Sequence, residues 1–380
     1  MSEKPVYNHA VNPDETTIEQ FQHCVSQPYV QKAALMPDAH PGYVAPVGAV
    51  LVTEGYIVPA WVGYDIGCGM TAVKLDVSVE EAGPFLQDLF ENVHEAIPMG
   101  KGEINGYKEV SARARRSFEV LLDQFLRRPY HNDIKAFFEG SAIRHLGSLG
   151  SGNHFIEFAE GSEGTCWIIV HSGSRGVGHR VAKRYMKRSA GDDEEFEATH
   201  PLDVTSNLGK EYRNILRFGL GFAEENRMEM ARRVIRELQR LLGRGINWEV
   251  WASNNHNHAV EEDGLFIHRK GATPAKQGER GIIPGNMRDG TYLVAGKGNK
   301  EFLQSSTHGA GRVMSRGEAK QRINVDRFVE QMKGVVSDAG ESVLDEAPDA
   351  YKDLGEVMEA QQSSVDIEEH LVPLVNWKGG

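Results

Sequence analysis

The stretch VGYDIGCGMTAVKLDV, residues 62–77, joins a glycine-rich turn to an apolar run typical of a strand. Asp65 and Cys68 lie three residues apart in that turn, and glycine lets the backbone fold tightly enough for both side chains to reach one ion. A carboxylate paired with a thiolate suits manganese, iron or zinc better than magnesium or calcium. Without further ligands, the simpler interpretation is a turn with a capping aspartate and a buried cysteine.

Short apolar runs rich in β-branched residues occur on both sides of this turn and again in later parts of the chain. One of them is apolar without interruption, as expected of a strand that is buried on both faces. The runs are GAVLV (48–52), YIVPAWV (56–62), MTAVKLDV (70–77), the uninterrupted CWIIV (166–170), LFIH (265–268) and TYLVA (291–295). They predict a β core that is assembled from distant segments.

Helical periodicity marks the intervening segments. Residues 15–26 form one predicted helix, with Thr16 or Thr17 as its N-cap. Residues 208–242 form a long amphipathic helix that stops at Gly243. The sequence pattern also predicts mainly helical structure over residues 78–140 and 321–363.

The chemically suggestive clusters extend from residue 38 to residue 378, with no internal repeat and no linker between them. One site assembled from the whole length indicates a single large α/β (α+β) domain over residues 1–380. We expect a central mixed β core with surrounding helices and helical insertions at about 78–140 and 185–250.

Composition excludes several classes of protein. No apolar run is long enough to cross a bilayer, and the N-terminus lacks the pattern of a signal peptide, so we expect a cytoplasmic protein without membrane contact. Three widely spaced cysteines form neither a disulfide framework nor a zinc knuckle. The 42 basic and 54 acidic residues give a formal charge of −12, which argues against non-specific coating of nucleic acid but allows a local basic groove.

Further metal donors occur beside glycine-rich turns at the ends of apolar runs. HLGSLGSGNHFIEF (145–158) contains Asn153 and His154, and IIVHSGSRGVGH (168–179) contains His171. NNHNHAV (254–260) supplies His256 and His258. With Asp65 and Cys68, these donors suffice for two metals if one donor bridges, and a thiolate such as that of Cys68 can bind two cations.

Two segments carry groups suited to phosphate. SGSRG (172–176) offers hydroxyls, backbone N–H groups and the fork-shaped guanidinium of Arg175. STHGAGRVMSRGEAK (306–320) places His308 among glycines, where an accessible imidazole could act as a nucleophile and form a phosphoramidate. The Walker A pattern is absent, and no GxGxxG fingerprint follows a strand.

In their order along the chain, these motifs resemble those of the RtcB RNA ligases. The resemblance covers nearly the whole chain from about residue 30, and DIGCGM, GSGNHF and HGAGR are individually distinctive. The motifs are PDAHPG, VGYDIGCGM, HLGSLGSGNHFIE, VHSGSRGVGH, HRKGATPA, IIPGNM, THGAGRVMSR, EAPDAYKDL and the terminal WKG.

The resemblance implies GTP- and Mn²⁺-dependent joining of an RNA 3′-phosphate or 2′,3′-cyclic phosphate to a 5′-hydroxyl. It implies one manganese on Asp65, Cys68 and His154 and a second on Cys68, His171 and His256, with His308 guanylylated. Asn153 and Arg175 match groups that hold phosphates, and Glu157, Tyr351 and Lys378 match guanine-pocket residues. The resemblance also implies an archease-like activator as a partner.

The segment PGNMRDGTY (284–292) departs from the family pattern, because Asn286 and Thr291 stand where serines would contact the nucleotide. Both can still form hydrogen bonds. Two other classes remain: a dinuclear metal phosphodiesterase or cyclic phosphate hydrolase, and a nucleotide-binding sensor. The hydrolase would need the metal ligands but would have no use for His308, Glu157 or Lys378.

Overall fold

Two β-sheets and the helices packed against them account for most of the chain, described by a computed structural model over residues 4–380. The strands are β1 (Val6–Asn8), β2 (Val30–His40), β3 (Val47–Glu54), β4 (Tyr56–Ile57), β5 (Gly69–Ser78), β6 (Phe155–Glu160), β7 (Thr165–Ser172), β8 (Leu202–Asp203), β9 (Trp248–Asn255), β10 (Asn257–Glu262), β11 (Leu265–Lys270), β12 (Ala272–Pro274), β13 (Arg280–Pro284), β14 (Thr291–Gly296), β15 (Ser305–Thr307), β16 (Val336–Ser337) and β17 (Val365–Lys378).

The helices are α1 (Glu15–Ser26), α2 (Pro59–Val62), α3 (Val79–Ala82), α4 (Leu86–Ala96), α5 (Ala112–Leu126), α6 (Asn132–Gly140), α7 (Arg175–Ala190), α8 (Asn207–Leu242), α9 (Arg316–Arg322), α10 (Val325–Gln331) and α11 (Leu354–Ala360). Short 3₁₀ turns occur at Gly83–Phe85, Tyr107–Glu109, Ala142–His145, Glu341–Glu346 and Pro348–Ala350.

The larger sheet runs in the order β13-β14-β17-β6-β7-β5-β9, and β16 pairs with β17. Its two end strands approach each other, since Arg280 of β13 donates to the Trp251 carbonyl of β9 and lies over that indole ring. The smaller sheet runs in the order β1-β2-β3-β11-β10. Antiparallel pairs dominate, with parallel pairing at β1–β2 and β16–β17. The predicted α+β class with a mixed β core is confirmed.

The long predicted helix is confirmed as α8. The Ser206 hydroxyl caps it by accepting from the Gly209 N–H, and it ends at Gly243, whose φ of 66° favours glycine. One side of α8 packs on β5 and β7, and the other packs on α5. None of the helices within residues 4–380 combines the length and the apolar character needed to cross a membrane.

Three local predictions need correction. YIVPAWV is not one strand, because Pro59 lacks the N–H that a ladder requires and instead begins the helical turn α2. The N-cap of α1 is Asp14 rather than Thr16 or Thr17, and its carboxylate accepts from the Thr17 N–H at 2.7 Å. The segment 321–363 is only partly helical, since α9, α10 and α11 are separated by 3₁₀ turns and β16.

Candidate active site

Four strand ends of the larger sheet meet at one edge. β5 begins where its antiparallel neighbours β7 and β9 end, and β6 begins at the same edge. Residues at or just outside these ends therefore lie side by side. They are Cys68 before β5, His154 before β6, His171 near the end of β7, and His256 after β9.

The structure brings all five predicted metal ligands together around Cys68. Its Sγ lies 3.3 Å from Nε2 of His154 and 3.3 Å from Nε2 of His171. On one side, Oδ2 of Asp65 is 2.9 Å from Nε2 of His154. On the other, Nε2 of His171 is 3.2 Å from Nε2 of His256. Among the described residues, Cys68, His154 and His171 lie close enough together to hold one ion, and Asp65 and His256 extend this group on either side.

The donors of this cluster differ in their protonation. Burial lowers the pKa of His171 and of His256 well below the usual value, so both imidazoles are neutral. Burial opposes ionisation of Asp65, but His154 and Arg175 outweigh it and lower the pKa of that carboxyl. Burial and the Asp65 carboxylate raise the pKa of the Cys68 thiol, so a bound cation would have to displace its proton.

Backbone contacts orient the donors. Nδ1 of His171 lies 3.0 Å from the Asn153 carbonyl, which places the proton on Nδ1 and leaves Nε2 free to bind a cation. Nη1 of Arg175 is 3.0 Å from Nδ1 of His154. Arg175 has a φ of 58°. A Cβ at position 150 would lie 1.6 Å from Nη2 of Arg175, so glycine is required at position 150. The guanidinium is thereby held at the metal donors.

Arg227, in the middle of α8, is a supporting residue that the sequence analysis missed. It is fully buried and donates to the Gly67 carbonyl at 3.1 Å, the Ser172 carbonyl at 3.1 Å and Oδ1 of Asn255 at 3.0 Å. It also donates to the Thr71 hydroxyl at 3.0 Å. These acceptors belong to the turns and strand ends that carry Cys68, His171 and His256, so one guanidinium fixes their relative positions.

A cavity of about 900 Å³ opens beside the cluster. It lies between the metal donors and the C-terminal strand β17. Of the predicted site residues, the wall includes Asn153, Glu157, His171, Asn286, His308, Tyr351 and Lys378. Residues predicted from the whole chain length therefore face one cavity, whose volume suits a nucleotide-sized ligand.

His308 lies at the junction of the cavity and the metal donors. Its ring centroid is 4.9 Å from that of His256. Nδ1 lies 2.6 Å from Oδ2 of the fully buried Asp38, and the His308 N–H donates to the same oxygen at 3.3 Å. Asp38 therefore orients the ring and leaves Nε2 as the nitrogen available to a ligand. Asp38 belongs to the PDAHPG motif, whose sequence alone does not indicate this contact with His308.

Glu157 lies deep in the cavity wall. Its carboxyl accepts from the Thr291 hydroxyl at 3.1 Å and from the Asn376 amide at 3.3 Å. Burial raises the pKa of Glu157 to about 8, because those two hydrogen bonds only partly offset the loss of water. The free site therefore holds a protonated acid at neutral pH.

A charged cluster around Glu346 forms the part of the cavity wall that comes from the C-terminal segment of the chain. Glu346 was not among the predicted site residues. Its carboxylate accepts from Nζ of Lys378 at 2.6 Å and from the Tyr351 hydroxyl at 2.5 Å. Arg312 and Arg316 donate to its other oxygen. Burial opposes ionisation, but Lys378 and Arg316 outweigh it and lower the pKa of Glu346. The cluster fixes the predicted residues Tyr351 and Lys378 and supplies positive charge.

The two departures from the family pattern occupy different positions. Asn286 faces the cavity, and its side chain also closes its own turn by accepting from the N–H of Asp289 at 3.0 Å. Thr291 is fully buried behind Glu157 and reaches the cavity only through that carboxyl. His258 lies outside the metal cluster, with Nε2 3.3 Å from the guanidinium of Arg269.

Known proteins are similar to this chain over nearly its whole length. A family model described as "tRNA-splicing ligase RtcB" matches residues 20–379. The chain is 32% identical to the "RNA-splicing ligase RtcB" of Escherichia coli K12 over 388 residues, covering 95% of this chain and 93% of that protein. It is 30% identical to the "tRNA-splicing ligase RtcB" of Archaeoglobus fulgidus over 413 residues, covering 89% and 86%. The chain therefore belongs to the RtcB family.

Proposed function

We propose that this protein is a GTP- and Mn²⁺-dependent RNA ligase that works through a histidine–GMP intermediate. It joins an RNA 3′-phosphate or 2′,3′-cyclic phosphate to a 5′-hydroxyl. The observation that carries the proposal is the position of His308, which is oriented by Asp38 between the metal donors and a nucleotide-sized cavity. The relatives are named RNA-splicing and tRNA-splicing ligases, which supports RNA as the substrate class.

The donor set fits two divalent cations. Asp65, Cys68 and His154 would hold one, and Cys68, His171 and His256 would hold the other. The mixture of carboxylate, thiolate and neutral imidazole suits Mn²⁺ and is a poor match for magnesium, which prefers oxygen ligands. When bound, the cations would neutralise phosphate charge and polarise phosphoryl oxygens.

The far end of the cavity fits the base of GTP. An ionised Glu157 can accept from both N–H donors on the guanine edge, whereas adenine would leave one carboxylate oxygen unpaired. Thr291 and Asn376 hold that carboxyl in place. Tyr351, Lys378 and Asn286 would complete the nucleotide site. This placement puts the α-phosphate of GTP toward His308.

In the first step, Nε2 of His308 attacks the α-phosphorus of GTP. A P–N bond forms, and the P–O bond to pyrophosphate breaks. The proton on Nδ1 remains in place, and the Asp38 carboxylate beside it stabilises the positive charge that develops on the ring. Asn153 and Arg175 would stabilise the phosphate charge.

In the second step, an oxygen of the RNA 3′-phosphate attacks the phosphorus of the histidine-bound GMP. A P–O bond forms, the P–N bond breaks, and neutral His308 is restored. A cyclic end first takes up water, which breaks one ester bond. In the third step, the 5′-hydroxyl attacks the activated 3′-phosphorus, releases its proton and expels GMP.

A dinuclear phosphodiesterase would use the same metal donors. It would leave unused the Asp38–His308 pair and the Glu157 pocket, which the sequence places in separate segments and the fold brings into one cavity.

We also propose that residues 1–380 form a single ligase domain, that the protein acts in the cytoplasm and that an archease-like protein activates it. Three free, buried cysteines agree with a reducing compartment.

The test is a joining assay with two short RNAs, one ending in a 3′-phosphate and the other beginning with a 5′-hydroxyl. With Mn²⁺ and GTP, we expect a joined product that is lost in His308→Ala and in Cys68→Ser. It should persist in His23→Ala and Cys24→Ser, which change an exposed histidine and a buried cysteine outside the cavity. The assay is repeated with a 2′,3′-cyclic phosphate in place of the 3′-phosphate. Opening of that end with no joining of either RNA would contradict the proposal and favour the phosphodiesterase.

A further inference from the structure

Helix α7 has an unusual charge for a chain of net charge −12. Its 16 residues, RGVGHRVAKRYMKRSA, contain six lysines and arginines and no acidic residue. Four basic side chains are exposed and occupy one stripe along the helix, which we call the basic face. They are His179, Arg180, Lys183 and Lys187. Three of them, at 179, 183 and 187, are spaced about 6 Å apart along the helix axis.

Ion pairs neutralise two arginines on the other side of α7, while on the basic face the Arg180 guanidinium lies over the Phe137 ring at 4.4 Å. Arg184 lies 2.9 Å from the Asp133 carboxylate, and Arg188 pairs with Glu211. Across residues 4–380, no carboxylate lies within 4 Å of the charged group of Lys183 or Lys187. The positive charge of this face is therefore available to a ligand.

A row of rings, exposed at Tyr43 and His179 and half-buried at Tyr64, joins this face to the active-site cavity, and we call it the aromatic row. Tyr43 lines the cavity and is 77% exposed, with its ring edge-on to that of Tyr64 at 5.9 Å. The Tyr64 ring stacks on the exposed imidazole of His179 at 4.6 Å. Gln20 anchors the Tyr43 loop by two hydrogen bonds to the backbone of Gly42.

The N-terminal end of α7 also contacts the candidate active site. Arg175, the first residue of α7, contacts the metal donor His154. The basic face therefore starts at the reacting groups and leads away from them. The acidic stretch Asp192–Glu197 follows α7, and its Phe196 ring lies 5.0 Å from the Lys187 ammonium. The stretch then returns to the aromatic row, where the Tyr64 hydroxyl donates to the Glu197 carboxylate.

Given the proposed RNA ligase function, on which this step rests, we propose that the aromatic row and the basic face hold the single-stranded nucleotides next to one reacting RNA end. Exposed rings that accept stacked bases, followed by cations that track the backbone, are the combination that single-stranded nucleic acid requires. An acidic peptide would use the cations but not the stacked rings. This assigns RNA contact to His179, Lys183, Lys187 and Tyr43.

The test measures binding without chemistry. A fluorescent single-stranded RNA with a 3′-phosphate is titrated with the whole protein, without GTP, at several salt concentrations. In the Lys183→Ala/Lys187→Ala variant, the slope of log Kd against log salt should fall by about 1.4, and Kd at 0.1 M salt should rise by about tenfold. Lys32→Ala/Lys300→Ala, two exposed lysines outside α7, is the matched control and should bind as the wild type does.

Tyr43 separates stacking from polar contact. Tyr43→Ala should weaken binding at least about fivefold, and Tyr43→Phe should retain the wild-type affinity because it keeps the ring. Equal affinity and equal salt slope in the lysine variant and the wild type would overturn the proposal and leave the face to an acidic protein partner. Wild-type protein that binds RNA through these residues without ligating would instead overturn the proposed function alone.

Discussion

At the scale of single residues, the Asp38–His308 contact gives a direct prediction. Asp38→Asn keeps the shape but removes the charge beside Nδ1, so we expect self-guanylylation to slow by about 100-fold while GTP affinity changes little. Single-turnover labelling across GTP concentrations separates the two effects. Asp123→Asn, an exposed aspartate on α5, is the control. A loss confined to GTP affinity would contradict the orienting role.

Glu157 gives a pH prediction. Guanine needs the ionised carboxyl, and burial raises the pKa of the free group to about 8. Below pH 8 a proton must leave on binding, so GMP affinity should rise about tenfold per pH unit and level off above pH 8. Titration calorimetry between pH 6 and 9 measures this profile. Glu157→Gln should bind weakly and without the slope, and a flat wild-type profile would contradict the assignment.

The sequence identified some site residues and missed others for a physical reason. Asp65, Cys68 and His154 stand in glycine turns beside apolar strands, a local pattern that can be read directly. Asp38 and Glu346 act through partners that are distant in sequence, His308 and Lys378. No local pattern distinguishes such a carboxylate from one in an ordinary turn.

At the scale of elements, α8 is predicted to support the metal site through Arg227. Arg227→Ala would remove the donor of two buried carbonyls and of the Asn255 amide oxygen, so we expect a loss of about 3 kcal/mol in unfolding free energy and weaker Mn²⁺ binding. Lysine should not rescue it, because a single ammonium cannot reach acceptors on three segments. Denaturant unfolding and a metal titration check both effects. Arg236→Ala, on the same helix, is the control.

A stable variant with normal metal affinity would contradict the supporting role of Arg227.

The burial of Arg227 shows that the position of a helix was easier to predict from the sequence than which of its side chains are buried. Periodicity located α8 almost to the residue, but a polar side chain within it reads as solvent-facing. The strand predicted at YIVPAWV was wrong because the apolar run hid Pro59, whose missing N–H begins a helical turn.

At the scale of the whole molecule, metal binding should stabilise the fold, since its donors tie together β5, β6, β7 and β9. Mn²⁺ at 100 times its Kd should add about 2.7 kcal/mol per site, raising Tm by several degrees, and a chelator should reverse the change. Cys68→Ser should lose most of this gain, while Cys24→Ser keeps it. An equal rise in Tm with Mn²⁺ in the two variants would contradict the claim that the Cys68 thiol binds both cations.

The α+β class and a single site assembled from distant segments followed from the sequence, but the geometry of that site did not. It depends on which strands pair and in which register, and β5 pairs with β7 and β9, which are about 100 and 180 residues away. The donor chemistry of the segments suggested that they meet at two metals, but only the resemblance to a family assigned each donor to one metal. The net charge of −12 likewise concealed the local positive charge of α7.

The central claim is that His308 carries GMP. The most direct measurement incubates the protein with Mn²⁺ and GTP labelled at the α-phosphate, then denatures it and counts the label that stays bound. We expect label that is lost in acid, survives base and is absent from His308→Ala, as a phosphoramidate requires. Absence of label on wild-type protein with both metals bound, or label that persists in His308→Ala, would contradict the mechanism.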